Sequence, residues 1–291
     1  MADDRRRATV WERFCVPARH LAASLHQLLA PLPAAVPVLV HSDLLRVGVP
    51  DGIADPDGQC ARWLDLLLEA AAGRPLLLPT FNYDYCRTRR FDPGADGGQV
   101  GALSRYCVAR FPQARTATPV FNFCVFNDDG FGREPVANPF GEAGTFAELH
   151  RRNGAILFLG VGMIANTFIH YVEERLDIGY RYDKPFPGSV VRGGISSPLN
   201  FHFRVRPKIE GAVEYDRLGE EDLERAGLLR RAPVGLSTAM MVRADDYLSV
   251  VGGAMRRDEL HVLTPRARAI TLSLYQRHGR PLTLATMEAD A

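Results

Sequence analysis

His170 stands three and four residues before Glu173 and Glu174. On a helix that spacing sets both carboxylates beside the imidazole, with Thr167 on its other side. A histidine gains and loses a proton near neutral pH, which makes it the usual base toward an amine or hydroxyl nucleophile. A carboxylate on one ring nitrogen fixes the tautomer and steadies the imidazolium that forms. Ile169, Val172 and Leu176 supply the apolar stripe of the same helix, so His170 belongs at the edge of a core. The spacing by itself fits a half-buried histidine with solvated glutamates equally well, so the surrounding elements must decide.

Immediately upstream, residues 155–159 read as a buried strand, and Gly160–Val161–Gly162 as the turn into the helix. Such strand-to-helix junctions are where α/β proteins hold ligands. Gly160, Gly162 and Ala165 match the Gly-x-Gly-x-x-Ala spacing of a dinucleotide site, where glycines let the backbone approach a pyrophosphate. Three features oppose that reading. The motif lies mid-chain, residues 177–183 are not an apolar strand ending in an acid, and Ile164–Ala165–Asn166 puts a polar cap where open amides are needed.

Further back, residues 10–32 carry helical apolar spacing, closed by Pro31–Leu32–Pro33, and 36–40 form a short strand ending at His41–Ser42–Asp43. Ser42 or Asp43 is the expected cap of a short helix through Arg46, closed by Gly48. An amphipathic helix spans 60–72, a second buried strand 76–80, and a Tyr/Arg/Asp/Gly-rich loop 81–99, long enough to suggest function. Residues 100–111 read as a helix, 115–125 as loop then strand, and 145–152 as a helix with Thr145 and Glu148 as a capping box. Beyond Pro185 come a half-exposed antiparallel strand at 201–205, a helix at 220–226, a strand at 234–242 and a terminal helix at 263–276. This order predicts an α/β fold: a three-layer α/β/α core with a mixed sheet and an α+β C-terminal extension, with 1–291 as a single domain.

The bulk composition narrows the partners. A net charge of +1 gives no electrostatic footprint for nucleic acid, and no apolar run is long enough to span a membrane. Cys15, Cys60, Cys86, Cys107 and Cys124 never form a Cys-x-x-Cys pair, which points to reduced thiols in a cytoplasmic protein and to no metal.

Four segments in order carry a resemblance. They are Val40–His41–Ser42–Asp43–Leu44 through Gly48, then Leu78–Pro79–Thr80, then Gly101–Ala102–Leu103 through Arg115 to Pro119, and finally Leu159–Gly160–Val161–Gly162 with Asn166–Thr167 and His170–Tyr171–Val172–Glu173. Together they resemble the aminoglycoside 3-N-acetyltransferase family, acetyl-CoA-dependent antibiotic N-acetyltransferases, from about residue 38 to 251. Asp43 departs from the family's second serine and Thr118 from its histidine.

The resemblance implies direct acyl transfer to an amine, with no metal and no covalent intermediate. It makes His170 the base and Glu173 its candidate partner, while Glu214 or Asp216 remain alternatives for orienting the ring. Ser42, Asp43, Arg46 and Thr80 fall to the acetyl-CoA (coenzyme A) side; Asn82, Tyr83, Tyr85, Arg115, Asn166 and Thr167 fall to the acceptor side. The loop at 80–86 and residues 167–173 look most like the branch tied to bacterial surface-polysaccharide genes.

Acids do not cluster around this site. Asp84 is outnumbered by Arg87, Arg89 and Arg90, while Tyr83 and Tyr85 suit a sugar face or a base. The main expectation is therefore an acyl-CoA-dependent N-acyltransferase acting on an amino sugar, nucleotide-linked. The alternative within the family is an aminoglycoside 3-N-acetyltransferase conferring antibiotic resistance. Alternatives of another class are an NAD-binding oxidoreductase and a non-catalytic coenzyme A or nucleotide-sugar binder. A homodimer is the oligomer to test for.

Overall fold

Alternation along the strands at 36–40, 76–80 and 155–159 is weak because nearly every residue is apolar, the pattern of strands covered on both faces. In the computed structural model, which describes residues 14–53, 55–128 and 130–288, they lie side by side. Among the described residues six strands form the central sheet: β1 (Val38–Ser42), β2 (Leu76–Pro79), β3 (Phe123–Phe126), β4 (Ala155–Leu159), β5 (Arg230–Val234) and β6 (Ser237–Arg243). Their order is β5-β6-β4-β1-β2-β3. The β4–β1 and β1–β2 pairs are parallel; β5–β6, β6–β4 and β2–β3 are antiparallel. The sheet is thus mixed, as expected.

Successive side chains go to opposite faces. Leu39, Leu77, Ile156 and Phe158 join one core, and Val38, Val40, Leu76, Leu78, Leu157 and Leu159 join the other. The second core is covered by α1 (Ala18–Leu29), α2 (Pro56–Ala71) and α3 (Ala102–Arg110), through Leu21, Leu25, Trp63, Leu67, Leu103 and Cys107. The first is covered by α4 (Thr145–Arg151) and α5 (Phe168–Arg175), through Phe146, Leu149, Phe168, Ile169 and Val172. Helices therefore flank the sheet on both sides.

Several local expectations are corrected. The first helix is shorter than 10–32: Cys15–Val16 is extended, and residues 10–13 lie outside the described residues. Helix α2 begins before residue 60, because Asp55 caps it by accepting from the Gly58 amide at 2.7 Å and Pro56 opens its first turn. No capping box forms at Thr145, which is already helical behind Gly144; Glu148 pairs with Arg151 instead. Asp43 occupies the cap position of the short helix Leu44–Val47, but its side chain makes no cap bond and pairs with Arg46 at 3.3 Å.

The strand read at 234–242 is really the hairpin β5–β6, turning at Gly235 (φ 59°) with Val234 opposite Ser237. Strand β6 runs antiparallel to β4, so the C-terminal part of the chain supplies strands to the central sheet as well as packing against it. The long loop after β2 contains a helical turn, Tyr85–Thr88, and a short strand, Arg90–Phe91, paired with Gly188–Arg192. The predicted strand at 201–205 appears as His202–Val205, antiparallel to Tyr182–Pro185. The terminal helix, α6 (Pro265–His278), starts at the Thr264 cap, whose hydroxyl accepts from the Ala267 amide. All five cysteines are free, and no helix among the described residues is long and apolar enough to cross a membrane.

Candidate active site

Strand β4 ends beside β1 at the sheet's C-terminal edge, with Ser42 opposite Leu159. The turn that follows is fixed by Gly160. Its φ is 72°, and a Cβ there would lie 2.5 Å from the Asp43 carbonyl oxygen and 2.6 Å from Val47 Cγ2. Gly160 therefore serves the tight turn and the close approach of this chain's own Asp43 backbone. The Asp43 amide also donates to the Leu159 carbonyl at 2.9 Å, tying the His41–Ser42–Asp43 segment to the junction.

After the turn a single 3₁₀ turn, Met163–Ala165, precedes α5. Asn166 starts the helix: its Oδ1 accepts from the Phe168 amide at 3.1 Å, and the residue is 2% exposed. Eight residues are too few for an isolated helix. Burial of Phe168, Ile169, Tyr171 and Val172, at roughly 1.5–3 kcal/mol each, is what holds it.

That packing turns His170 and Glu173 to the same side. Glu173 Oε2 accepts from His170 Nδ1 at 2.8 Å. Nδ1 therefore carries the proton in the neutral ring, and Nε2 holds the free lone pair. Glu173 is buried and fully coordinated. Its Oε1 accepts from the hydroxyls of Tyr180 (2.8 Å) and Tyr215 (2.6 Å), and Arg181 Nε lies 2.8 Å from Oε2. Arg181 also donates from Nη2 to the Tyr215 hydroxyl at 2.7 Å. Burial pushes the Glu173 carboxyl upward, but the Arg181 charge and the hydrogen bonds from His170 and Tyr215 outweigh it and hold it at about 2. Burial lowers the basicity of His170, Arg181 lowers it further, and Glu173 opposes both.

The question of which carboxylate stands behind His170 is thereby answered. Glu214 and Asp216 are exposed, whereas Tyr215 between them turns inward onto Glu173. Glu174 faces away, accepting from Asn138 at 2.8 Å and pairing with Arg204 at 3.4 Å. Tyr180, Arg181 and Tyr215 are the residues that sequence spacing did not single out for this role; the alternation Glu214–Tyr215–Asp216 was the available signal.

Aromatic rings surround His170. Phe140 lies 5.4 Å from its ring, Tyr215 6.3 Å and Phe121 6.4 Å, with Phe203 and Tyr83 next to Phe121. A cavity of about 780 Å³ opens at the C-terminal end of β1 and β2. His41, Ser42, Asp43, Tyr83 and Thr167 line it, above an apolar floor that includes Trp63, Leu78 and Leu103. Three polar atoms of its lining residues, His41 Nε2, Ser104 Oγ and Thr167 Oγ1, are buried without a hydrogen-bond partner. His41 stacks on Phe158, and burial depresses its basicity to about 4, which keeps it neutral.

The remaining predicted residues are placed differently. Thr80 donates to Asn122 Oδ1, and Asn82 donates to the Gly97 carbonyl. Arg115 is buried, with its guanidinium donating to Asn122 Oδ1, the carbonyls of Asp96 and Thr80, and more weakly Gly97. Tyr85 is fully buried and donates to the Phe186 carbonyl at 3.1 Å. These four side chains brace the loop after β2, and none of them lines the cavity. Arg46 is exposed on the surface beside Asp43.

Comparison with known proteins gives this arrangement a context. The model of the aminoglycoside 3-N-acetyltransferase family matches residues 39–256. Aminoglycoside N(3)-acetyltransferase IV from Salmonella sp. is 27% identical over 127 residues, which cover 44% of this chain and 46% of that relative, so the match spans about half of its length. Two solved structures share the fold. One is a histidine-to-alanine mutant of AAC(3)-IVa in complex with apramycin (TM-score 0.67, 23% identity, 85% of this chain and 95% of that one). The other is AAC-IIIb as a binary complex with CoASH (TM-score 0.69, 16% identity, 86% and 99%).

Proposed function

Because the chain belongs to the aminoglycoside 3-N-acetyltransferase family, we propose that it transfers an acetyl group from acetyl-CoA to an amine of an aminoglycoside-type amino sugar, acting as a single domain with His170 as the base. One observation carries this reading. A buried, ionised Glu173 holds His170 Nδ1–H, which leaves Nε2 a proton acceptor at an aromatic wall. Acetyl-CoA, when bound, supplies the thioester. The cavity fits its pantetheine arm in kind: an apolar floor with a few polar atoms left free. Ser42, Asp43 and Thr167 are the lining residues we assign to hold it, and Arg46, exposed beside Asp43, is the cation we assign to a phosphate. Thr167 Oγ1, His41 Nε2 and Ser104 Oγ are free polar atoms of the lining residues, candidates to meet the thioester carbonyl as negative charge develops on it. As the amine nitrogen attacks the thioester carbonyl, His170 Nε2 takes its proton and Glu173 steadies the imidazolium; the C–S bond then breaks, and the imidazolium returns the proton to the departing coenzyme A thiolate.

The acceptor favoured by the comparisons is an aminoglycoside. A nucleotide-linked amino sugar stands as a second reading, on the observation that Tyr83 is 48% exposed at the cavity mouth and stands against Phe121, beside the dyad. Thr80, Asn82, Tyr85, Arg115 and Asn166 act through the loops they brace. The test is thiol release from acetyl-CoA with a panel of aminoglycosides and nucleotide-linked amino sugars, using wild type and His170→Ala. Turnover with aminoglycosides that falls at least a thousandfold in His170→Ala is expected. Turnover only with nucleotide-linked sugars replaces the acceptor assignment, and near-normal activity of His170→Ala removes the base.

A further inference from the structure

Glu173 is a buried anion in contact with an imidazole. Taken alone, such a pair favours the imidazolium, because the carboxylate pulls a proton onto the ring. A histidine protonated at neutral pH cannot accept one from an amine. The structure supplies a counterweight in Arg181, whose Nε lies 2.8 Å from the same Oε2 that accepts from His170. Its side chain is 9% exposed, so water screens little of its charge.

We infer that Arg181 is a positioning residue of the proposed acyl transfer, held by Glu173 and Tyr215 so that its charge keeps His170 a proton acceptor near neutral pH. The inference rests on His170 being the base. Two cationic positions compete for one carboxylate, and the guanidinium, always charged, takes precedence. Tyr215 joins the two, donating to Glu173 Oε1 at 2.6 Å while accepting from Arg181 Nη2 at 2.7 Å. Tyr180 fills the remaining lone pair of Oε1.

The charged and titratable groups around His170 support the assignment. On its own helix, Glu173 favours protonation, and Glu174 is engaged by Asn138 and Arg204. From the following segment come Arg181, which opposes protonation, and Tyr180; from the segment before α6 comes Tyr215. Both tyrosines are pushed well above their ordinary range and stay neutral donors. Phe121 and Phe140 are uncharged rings beside it, and the His170 side chain stays 23% exposed.

The experiment is an NMR titration of side-chain-labelled histidines, with the His170 signal assigned by its loss in His170→Asn. It is run on wild type, Arg181→Gln and Tyr215→Phe, beside pH profiles of kcat/KM. In Arg181→Gln, His170 titrates at higher pH than in wild type, and the ratio of activity at pH 6 to that at pH 8 falls about tenfold. Tyr215→Phe, which keeps the charge, leaves the titration near wild type. If Arg181→Gln does not fold, Glu173→Gln and Glu173→Gln/Arg181→Gln carry the same comparison without stranding a buried carboxylate, and the double variant titrates at higher pH than the single. An unchanged His170 titration on removal of the guanidinium overturns the inference. So does a shift in Tyr215→Phe as large as that in Arg181→Gln, which marks loosening rather than charge. Absence of turnover in wild type with every acceptor is a failure of the proposed function instead, and the titration still reports on Arg181.

Discussion

Replacing Glu173 by Gln removes one charge from the centre of the site and leaves its shape almost unchanged. The carboxylate is 1% exposed and is held at about 2, against an ordinary 4.5. That difference corresponds to about 3 kcal/mol in favour of the ionised form, with no discount for solvent at such burial. Because the value is lowered on folding, this stability is complete above pH 4.5 and is lost as pH falls toward 2. The glutamine amide can still meet its neighbours, since a tyrosine hydroxyl accepts as well as donates. It cannot balance Arg181, and an unpaired buried guanidinium costs about 3–5 kcal/mol. Nor can it stabilise the imidazolium that the proposed proton transfer forms. We expect kcat to fall about 10²- to 10⁴-fold, with the KM for acetyl-CoA changing less than threefold. Thiol release at saturating acceptor measures the rate, and urea unfolding at pH 7 measures the stability loss. A folded Glu173→Gln protein with kcat within threefold of wild type refutes the reasoning, because it would mean the carboxylate orients nothing that the reaction uses.

Two further predictions separate neighbouring residues by their surroundings. Tyr85→Phe loses the buried bond to the Phe186 carbonyl and is expected to cost about 1 kcal/mol in urea unfolding, leaving both KM values unchanged. Tyr83→Ala, at the exposed mouth, is expected to raise the acceptor KM about tenfold with stability within about 0.5 kcal/mol of wild type; the reverse pattern sinks the placement. His41, held at about 4 against an ordinary 6.5, withholds a proton that the unfolded chain binds. Stability therefore drops as pH falls through this window, by about 2 kcal/mol between pH 7 and pH 5 from this residue. Denaturant midpoints of His41→Asn at the two pH values should show that contribution missing, and an equal drop in both proteins argues against it.

The His170–Glu173 juxtaposition was legible in the sequence because three residues on one helix put both side chains on one face, while its reading as a base and partner came from the resemblance. The strands read at 36–40, 76–80 and 155–159 were legible for the same local reason, apolar runs bounded by turn residues, and fold at 38–42, 76–79 and 155–159. Tyr215 was not, because it lies 42 residues along the chain from the Glu173 it meets, and Arg181 was not, because no helical period links it to Glu173. Arg115 shows the opposite limit. A lone arginine in a matched segment reads as a ligand contact, yet here backbone carbonyls and Asn122 occupy its guanidinium. Glycine gave the clearest local ambiguity: Gly160 serves a close approach, but what approaches is the Asp43 backbone.

The insertion of β6 between β5 and β4 has a consequence for synthesis. A ribosome delivers β1, β2, β4 and α5 well before β6, and until then one long edge of β4 has no neighbour. That bare edge, rich in isoleucine, leucine and phenylalanine, is a template for pairing with other nascent chains. Tyr215 is also still inside the ribosome when His170 and Glu173 emerge, so the buried carboxylate first meets water and acquires its tyrosine donor later. Expression hosts that shield nascent chains should therefore raise the soluble yield, and a stop codon placed before residue 230 should yield aggregate in place of a smaller active enzyme.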